Sequence, residues 1–166
     1  MLRLFRLSSF TVFFLSFITT TVAFAQSAHF IKATETLQTD GDLVLKFKEA
    51  GLGNALTTSY LASANASVTC TCVSKSGNCP NAANKVTFSS DVSSAGTFDV
   101  SNGSVSATLV ISVPSCPSGA PPTCGGGQRL VLSAFSYTDI ALTDTSNNIS
   151  APVPDKQGPV TLFTCP

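Results

Sequence analysis

The chain lacks tryptophan and has a single histidine, His29, among its 166 residues. Only 11% of its residues are charged, and nine basic residues balance nine acidic ones. No stretch clusters lysine or arginine, so neither nucleic acid nor an anionic membrane surface is an electrostatically favoured partner. No apolar run beyond residue 25 is long enough to cross a bilayer, so we expect no membrane insertion of the mature protein.

The single histidine removes several catalytic designs. A serine triad has only His29 as a possible base, and the chain contains no G-x-S-x-G motif. A cysteine protease needs a free thiol beside that same histidine, and a copper site built on two imidazoles needs a second one. We therefore interpret His29 as a solvated side chain in a frayed N-terminus, and we predict no enzyme and no cofactor.

Residues 1–25 have the pattern of an export signal. Arg3 and Arg6 form a basic start, an apolar run continues to Phe24, and Ala23-Phe24-Ala25 supplies small residues for cleavage. Removal of this segment leaves one domain, residues 26–166, with seven basic and nine acidic residues. We expect the mature protein to be secreted into an extracellular, oxidising environment.

The clearest periodicity runs from Leu56 to Cys72, where apolar and polar residues alternate. This alternation predicts extended backbone with one face in a core, as either one bent strand or two strands with a bulge near Ser63–Ala66. Turn signals separate further predicted strands, and no helical periodicity of useful length occurs. The prediction is an all-β fold, a disulfide-bonded, two-sheet antiparallel Ig-like β-sandwich. The other strands are predicted at Phe30–Gln38, Leu43–Glu49, Val86–Val92, Thr97–Val100, Val105–Val113, Leu130–Thr143 and Val160–Phe163.

Six cysteines follow the export signal, and export favours disulfides over metal ligation. Cys70 and Cys72 point the same way on one strand, so a bond between them would be strained. A local scheme pairs Cys72 with Cys79, Cys116 with Cys124 and Cys70 with Cys165. A long-range scheme instead ties the Cys70/Cys72 strand to the Cys116/Cys124 loop. The residues alone leave both schemes open.

Four parts of the chain together carry a family resemblance: Phe47–Asn54, Cys72 with Asn78-Cys79-Pro80 and Asn84-Lys85, Cys124–Leu132, and Ser136–Thr145. They resemble a group of small secreted β-rich proteins of unknown function found in bacteria and fungi. The resemblance implies a bond between Cys72 and Cys124, because many members keep counterparts of only those two cysteines. It brings no activity, ligand or catalytic residue to this chain.

The candidate carboxylate pairs for glycoside hydrolysis come from Glu35, Asp40, Asp42, Glu49, Asp139 and Asp144. Glu35 and Glu49 are expected to face each other across the first hairpin, with no apolar pocket to raise a pKa. Asp40 and Asp42 flank a turn glycine, and two carboxylates make a weak calcium site. All six are interpreted as solvated turn and edge charges, and no metal site is predicted.

The irregular segment Pro114–Gln128 has four prolines, four glycines and two cysteines, which predicts an exposed loop. We expect it to contact an extracellular protein or glycan, because recognition commonly sits on loops held by a rigid scaffold. The predicted function is non-catalytic binding or association with a surface or wall. The alternative is a protease inhibitor or secreted effector that presents Cys116–Gln128. The candidate binding residues are Pro117, Pro121, Pro122 and Tyr137.

Two further features are candidate surface sites, one aromatic side chain and three glycosylation sequons. Tyr137, beside Phe135, is the one candidate aromatic platform for a sugar ring, with packing between the sheets as the alternative. Asn65, Asn102 and Asn148 head N-x-Ser sequons and are candidate glycosylation sites in a eukaryotic host.

Overall fold

The computed structural model describes residues 27–79, 84–117 and 123–165, and these form an all-β structure. Export-signal residues 1–25 lie outside that part of the chain. The described residues contain eight strands and no helix, as the patterning predicts. The strands are β1 (His29–Leu37), β2 (Leu43–Ala50), β3 (Thr57–Ser74), β4 (Lys85–Asp99), β5 (Ser104–Ile111), β6 (Gln128–Asp144), β7 (Ile149–Ser150) and β8 (Lys156–Thr161).

The strands form two antiparallel sheets. The smaller sheet has the order β1-β2-β5, and the larger has the order β4-β3-β6-β7, with β8 also pairing β6. In the constant-type immunoglobulin arrangement the fourth strand joins the sheet of the first two. Here β4 instead pairs β3 in the other sheet. The two-sheet class is therefore as predicted, while the Ig-like detail stays a prediction.

Strand β3 forms the centre of the larger sheet, between β4 and β6. Its even-numbered residues from Thr58 to Cys72 are buried, which confirms the predicted core face. The pairing register with β6 shifts between Ser63 and Asn65, near the expected bulge, but the extra residue is in β6 and not in β3. A bulge bends the strand and re-aims nearby side chains.

Aromatic rings from both sheets meet in the core. Phe47 of β2 lies 4.5 Å from Tyr60 of β3, measured between ring centroids. Phe98 of β4 packs edge-on against Phe47 at 6.1 Å. Such pairs add to the stabilisation that burial of their surface provides.

Two predicted strands proved to be one. Val86–Val92 and most of Thr97–Val100 belong to the single 15-residue strand β4, which ends at Asp99. The intervening Ser93–Gly96 looks like a break because serine and glycine have low strand propensity. Unbroken pairing with β3 holds these residues in the ladder.

The last strands also differ from prediction. The predicted edge strand Val160–Phe163 begins earlier, at Lys156, and Val160 pairs Phe135 of β6. The two-residue β7 had no sequence signal. Gln157 of β8 donates a 2.8 Å hydrogen bond to Glu35 Oε1 of β1, which links the two sheets along that side.

The sandwich has two unlike ends. At the disulfide end β3 finishes and β6 begins, and all three disulfides have a cysteine in or just after the last residues of β3. At the polar end β2 and β6 finish and β3 begins, and four buried polar side chains lie between the sheets. Those four are Glu49, Thr58, Tyr60 and Asp144.

Candidate functional site

All six cysteines form disulfides. Cys70 bonds Cys116 and Cys72 bonds Cys124, with Cα separations of 5.9 and 5.5 Å. Cys79 bonds Cys165, with a Cα separation of 5.4 Å. The long-range scheme is therefore correct, and it includes the Cys72–Cys124 bond that the resemblance implies. The local scheme is wrong, because Cys79 and Cys165 pair with each other.

Two of these bonds fix the ends of one loop to one strand. Cys70 and Cys72 are successive inward positions of β3 and are fully buried. Alternate residues of a strand lie about 7 Å apart, so Cys116 and Cys124 are anchored at nearly that spacing. The segment between them is closed into a short ring on a rigid sheet.

The described parts of the predicted loop are exposed and irregular. Pro117 and Thr123, on either side of the gap, are exposed, as are Gly125–Gly127. Lys75 of the neighbouring turn donates its backbone N–H to Gly127 O at 3.1 Å. The predicted binding residues Pro121 and Pro122 lie outside the described residues.

Tyr137 is not a surface platform. Its exposed fraction is 0%, and its hydroxyl donates a 2.7 Å hydrogen bond to Gly41 O in the turn between β1 and β2. Burial, with Asp42 and Asp40 nearby, raises the pKa of its hydroxyl to about 12. Tyr137 therefore packs between the sheets, as does Phe135.

The polar end holds a cluster that the sequence interpretation missed. Glu49 of β2 is 0% exposed, and so is Asp144 of β6 from the opposite sheet. Glu49 was expected to face Glu35, but it pairs Phe30 across the hairpin while Glu35 pairs Leu45. Both oxygens of Glu49, Thr58 Oγ1 and Tyr60 Oη lack a well-formed hydrogen bond among the described residues.

Burial is the main cause of an unusual pKa at Glu49. It raises the pKa from 4.5 to about 7, and the nearby Asp144 carboxylate adds to the rise. The Tyr60 hydroxyl and His29 oppose it. The Tyr60 hydroxyl lies close enough to lower the pKa of Glu49, but the two groups do not form a well-aligned hydrogen bond. Burial likewise raises the pKa of Tyr60, followed by the effect of Glu49.

Asp144 was predicted to be a solvated charge in a turn. It does begin a turn, but its side chain is not solvated. It opens the turn after β6, where Oδ1 accepts backbone N–H bonds from Ser146 at 2.8 Å and Asn147 at 3.1 Å. The Asn147 side-chain amide donates to Oδ2 at 2.6 Å. The carboxylate is nevertheless buried, because the turn folds over it.

The polar cluster is not arranged to meet a substrate. Its two carboxyl groups are enclosed between the sheets and have no exposed surface. Hydrolysis of a sugar chain needs carboxyl groups that flank the bond to be cut. The cluster can instead take up or release a proton inside the fold near neutral pH.

The remaining carboxylates are partnered or exposed. Asp40 Oδ1 accepts the Asp42 backbone N–H at 3.1 Å, as expected of a turn. Asp42 Oδ1 accepts the Val113 N–H at 3.1 Å, which ties the turn to the chain after β5. Asp139 is exposed, with φ at +53°, beside the bulge.

His29 is exposed but is not in a frayed segment. It begins β1, pairs Ala50, and its Nδ1 lies 2.8 Å from Ser27 O. Among the described residues, no three His, Cys, Asp or Glu side chains lie together in a group that could hold a metal ion.

The three sequons lie in different settings. Asn65 is in the middle of β3, and its Nδ2 donates to Asp91 Oδ1 at 3.1 Å. Asn102 and Asn148 are exposed turn residues with φ near +50° and +55°. Both turns are at the polar end.

The outer face of the larger sheet carries a shallow recess at the bulge. Its volume is about 400 Å³, and Asn65, Asp91 and Asp139 contribute polar atoms to it. It is broad and open, with no buried polar side chain directed into it.

No helix among the described residues is long and apolar enough to cross a membrane. Comparison with protein-family models, curated proteins and solved structures gave no match. The resemblance to secreted β-rich proteins therefore stays a prediction.

Proposed function

We propose that this is a secreted, non-catalytic binding protein that presents the disulfide-anchored segment Cys116–Gln128 to an extracellular protein or glycan. One observation carries the proposal: the two cysteines of the segment, Cys116 and Cys124, are bonded to successive inward positions of β3. A loop held at both ends loses less conformational entropy on binding than a free loop. Three disulfides are consistent with an extracellular location.

The experiment replaces residues 117–122 with glycine and serine and screens the secreted protein on glycan and extracellular-protein arrays. Binding by the natural chain and its loss in the variant would support the proposal. The matched control replaces Asn54 and Ala55, exposed residues at the polar end, with serine. A ligand bound equally by all three proteins would contradict a role for the anchored segment.

A protease inhibitor is the second candidate, and the same anchoring favours it. An exposed segment whose ends are fixed by disulfides keeps its shape when a protease binds it. Inhibition assays with common extracellular proteases distinguish the two functions. Rapid cleavage without inhibition would exclude this candidate and leave the first in place.

The proposal of secretion has its own test. Cleavage of residues 1–25 would give a mature chain that begins at Gln26. N-terminal sequencing of protein from the culture medium checks this. Recovery of the full-length chain inside cells with reduced thiols would contradict it.

A further inference from the structure

The outer edge of β4 differs from the other sheet edges. The strand is 15 residues long and contains no proline. Each residue from Lys85 to Asp99 pairs β3 without a register shift. Lys85 and Asp99 stand at its two ends, and Asp91 is the only charge between them. Among the described strands β4 pairs only β3, so its other edge offers backbone hydrogen-bonding groups.

Three of the other edge strands carry features that discourage pairing. Strand β1 has a register shift beside Lys32, and β8 is six residues long with Pro159 inside it. Strand β7 has only two residues. Strand β5 lacks lysine, proline and a register shift, as β4 does between its end residues, but with eight residues it is about half as long as β4. Short length, lysine, proline and bulges are the usual means by which proteins prevent edge-to-edge association. Strand β4 has none of these between its end residues.

We propose that β4 is a dimerisation edge, and that it pairs antiparallel with β4 of a second copy of this chain about a two-fold axis at Val92. The pairing joins the larger sheet of one copy to the larger sheet of the other, which makes one continuous sheet. Because the axis is two-fold, the contact uses up both edges and closes at two copies.

The charge pattern of β4 fits this register. With Val92 opposite itself, Lys85 lies opposite Asp99 of the other copy at both ends of the ladder. Asp91 lies opposite Ser93, so no like charges meet. Opposite charges across a strand pair stabilise it, and like charges destabilise it.

The apolar pattern fits as well. The inward-facing Val86, Phe88, Val92 and Phe98 are only half-buried in the single chain. In the proposed register Val86 lies opposite Phe98 of the other copy, and Val92 meets Val92. A neighbouring strand would therefore cover apolar surface that β3 covers on one side only.

The test measures association of the secreted, oxidised protein by sedimentation across a wide concentration range. We expect a dimer, and a larger dissociation constant for Ser93→Asp, which puts an aspartate opposite Asp91 twice. The expected weakening is roughly 2- to 30-fold. Ser93→Lys should tighten the dimer. The matched control Thr36→Asp adds the same charge to exposed β1 and should change nothing.

A charge exchange provides a second test that does not depend on Ser93. Asp99→Lys should weaken the dimer by placing lysine opposite Lys85, and adding Lys85→Asp should restore it. Circular dichroism and the disulfide content of each variant establish that it is folded. A natural chain that stays monomeric at all concentrations would overturn the proposal, as would a dimer insensitive to both sets of variants. Open-ended aggregation in place of a dimer would also overturn it.

Discussion

The two ends of the sandwich are stabilised by different chemistry. At the disulfide end three covalent bonds join β3, the loop after β5 and the C-terminal residues. At the polar end two carboxyl groups from opposite sheets are buried with two unpartnered hydroxyls. The covalent bonds hold whatever the pH, whereas the contribution of the polar end depends on whether Glu49 carries a proton.

The contrast between the two ends has a consequence for function. A binding loop gains from a fixed frame, and the disulfide end supplies one. Buried polar groups without hydrogen bonds lower stability, and here they lie at the opposite end. We therefore expect binding at the disulfide end and pH-dependent opening at the polar end. Each prediction below changes one end and compares it with the other.

The largest effect is expected from removing both bonds that anchor the loop. While one remains, the other closes a ring of only about ten residues, so removing Cys72–Cys124 alone should cost about 3 kcal/mol. The Cys70–Cys116 bond closes a larger loop, because its cysteines are 46 residues apart in the sequence. Removing both bonds should therefore lower the free energy of unfolding by about 7 kcal/mol in total. One variant replaces Cys72 and Cys124 with alanine, and the other also replaces Cys70 and Cys116. Urea unfolding of the two variants measures both losses of stability. Equal costs for the single and double removals would contradict this account.

The next effect is the pH dependence of stability. Since burial raises the pKa of Glu49 from 4.5 to about 7, the folded state holds this proton more tightly than the unfolded chain. The protonated Glu49 therefore stabilises the folded state. This contribution is full below about pH 4.5 and is lost as pH rises through about 7, which lowers the free energy of unfolding by about 3 kcal/mol. Thermal or urea unfolding from pH 4 to pH 8 measures it.

Glu49→Gln should remove most of this pH dependence, because the amide stays neutral. Glu35→Gln is the matched control, since Glu35 is partly exposed and bonded to Gln157. The control should leave the slope of stability against pH unchanged. An equal loss of slope in both variants would argue against Glu49 as the titrating group.

A smaller effect is expected from two buried tyrosines. Tyr137→Phe removes the hydrogen bond to Gly41 O and should cost about 1–2 kcal/mol. Tyr60→Phe removes a hydroxyl without a well-formed hydrogen bond and should cost less than about 0.5 kcal/mol, or stabilise. Denaturant midpoints of the two variants give the comparison. A reversed order would show that Tyr60 makes the stronger contact.

The smallest effect on stability is expected from glycans at the polar end. In a eukaryotic host we expect Asn102 and Asn148 to be modified, because both are exposed turn residues. Asn65 should stay unmodified, since its amide nitrogen is bonded to Asp91 within a long strand. Intact mass before and after glycosidase, with each Asn→Gln variant, counts the glycans. A glycan on Asn65 alone would contradict this assignment.

Alternation along strands made most of the fold predictable from sequence. It correctly placed β3 and its core face, because one-sided burial leaves a period of two. The bulge was expected in this strand, but its extra residue is in β6. The same rule would have found the polar cluster, since Leu43, Leu45, Phe47 and Glu49 occupy one face of β2. The expectation that carboxylates lie on the surface concealed Glu49. Asp144 was harder, because its burial depends on how the following turn folds.

Other features depend on distant contacts that no local pattern contains. The joining of two predicted strands into β4 depends on β3, whose unbroken pairing outweighs the low propensity of Ser93–Gly96. The cysteine pairing depended on where Cys79 and Cys165 lie in space. Tyr137 could be read as a surface or core residue until the position of Gly41 was known.

Hydrogen exchange at pH 5 and pH 8, corrected for intrinsic rates, tests the contrast between the ends most directly. We predict that protection falls at pH 8 in the last residues of β2, the first of β3 and the last of β6, while Cys70–Ser74 keeps its protection. Glu49→Gln should remove this local change. Protection that falls equally at both ends, or that does not depend on pH at the polar end, would contradict the account.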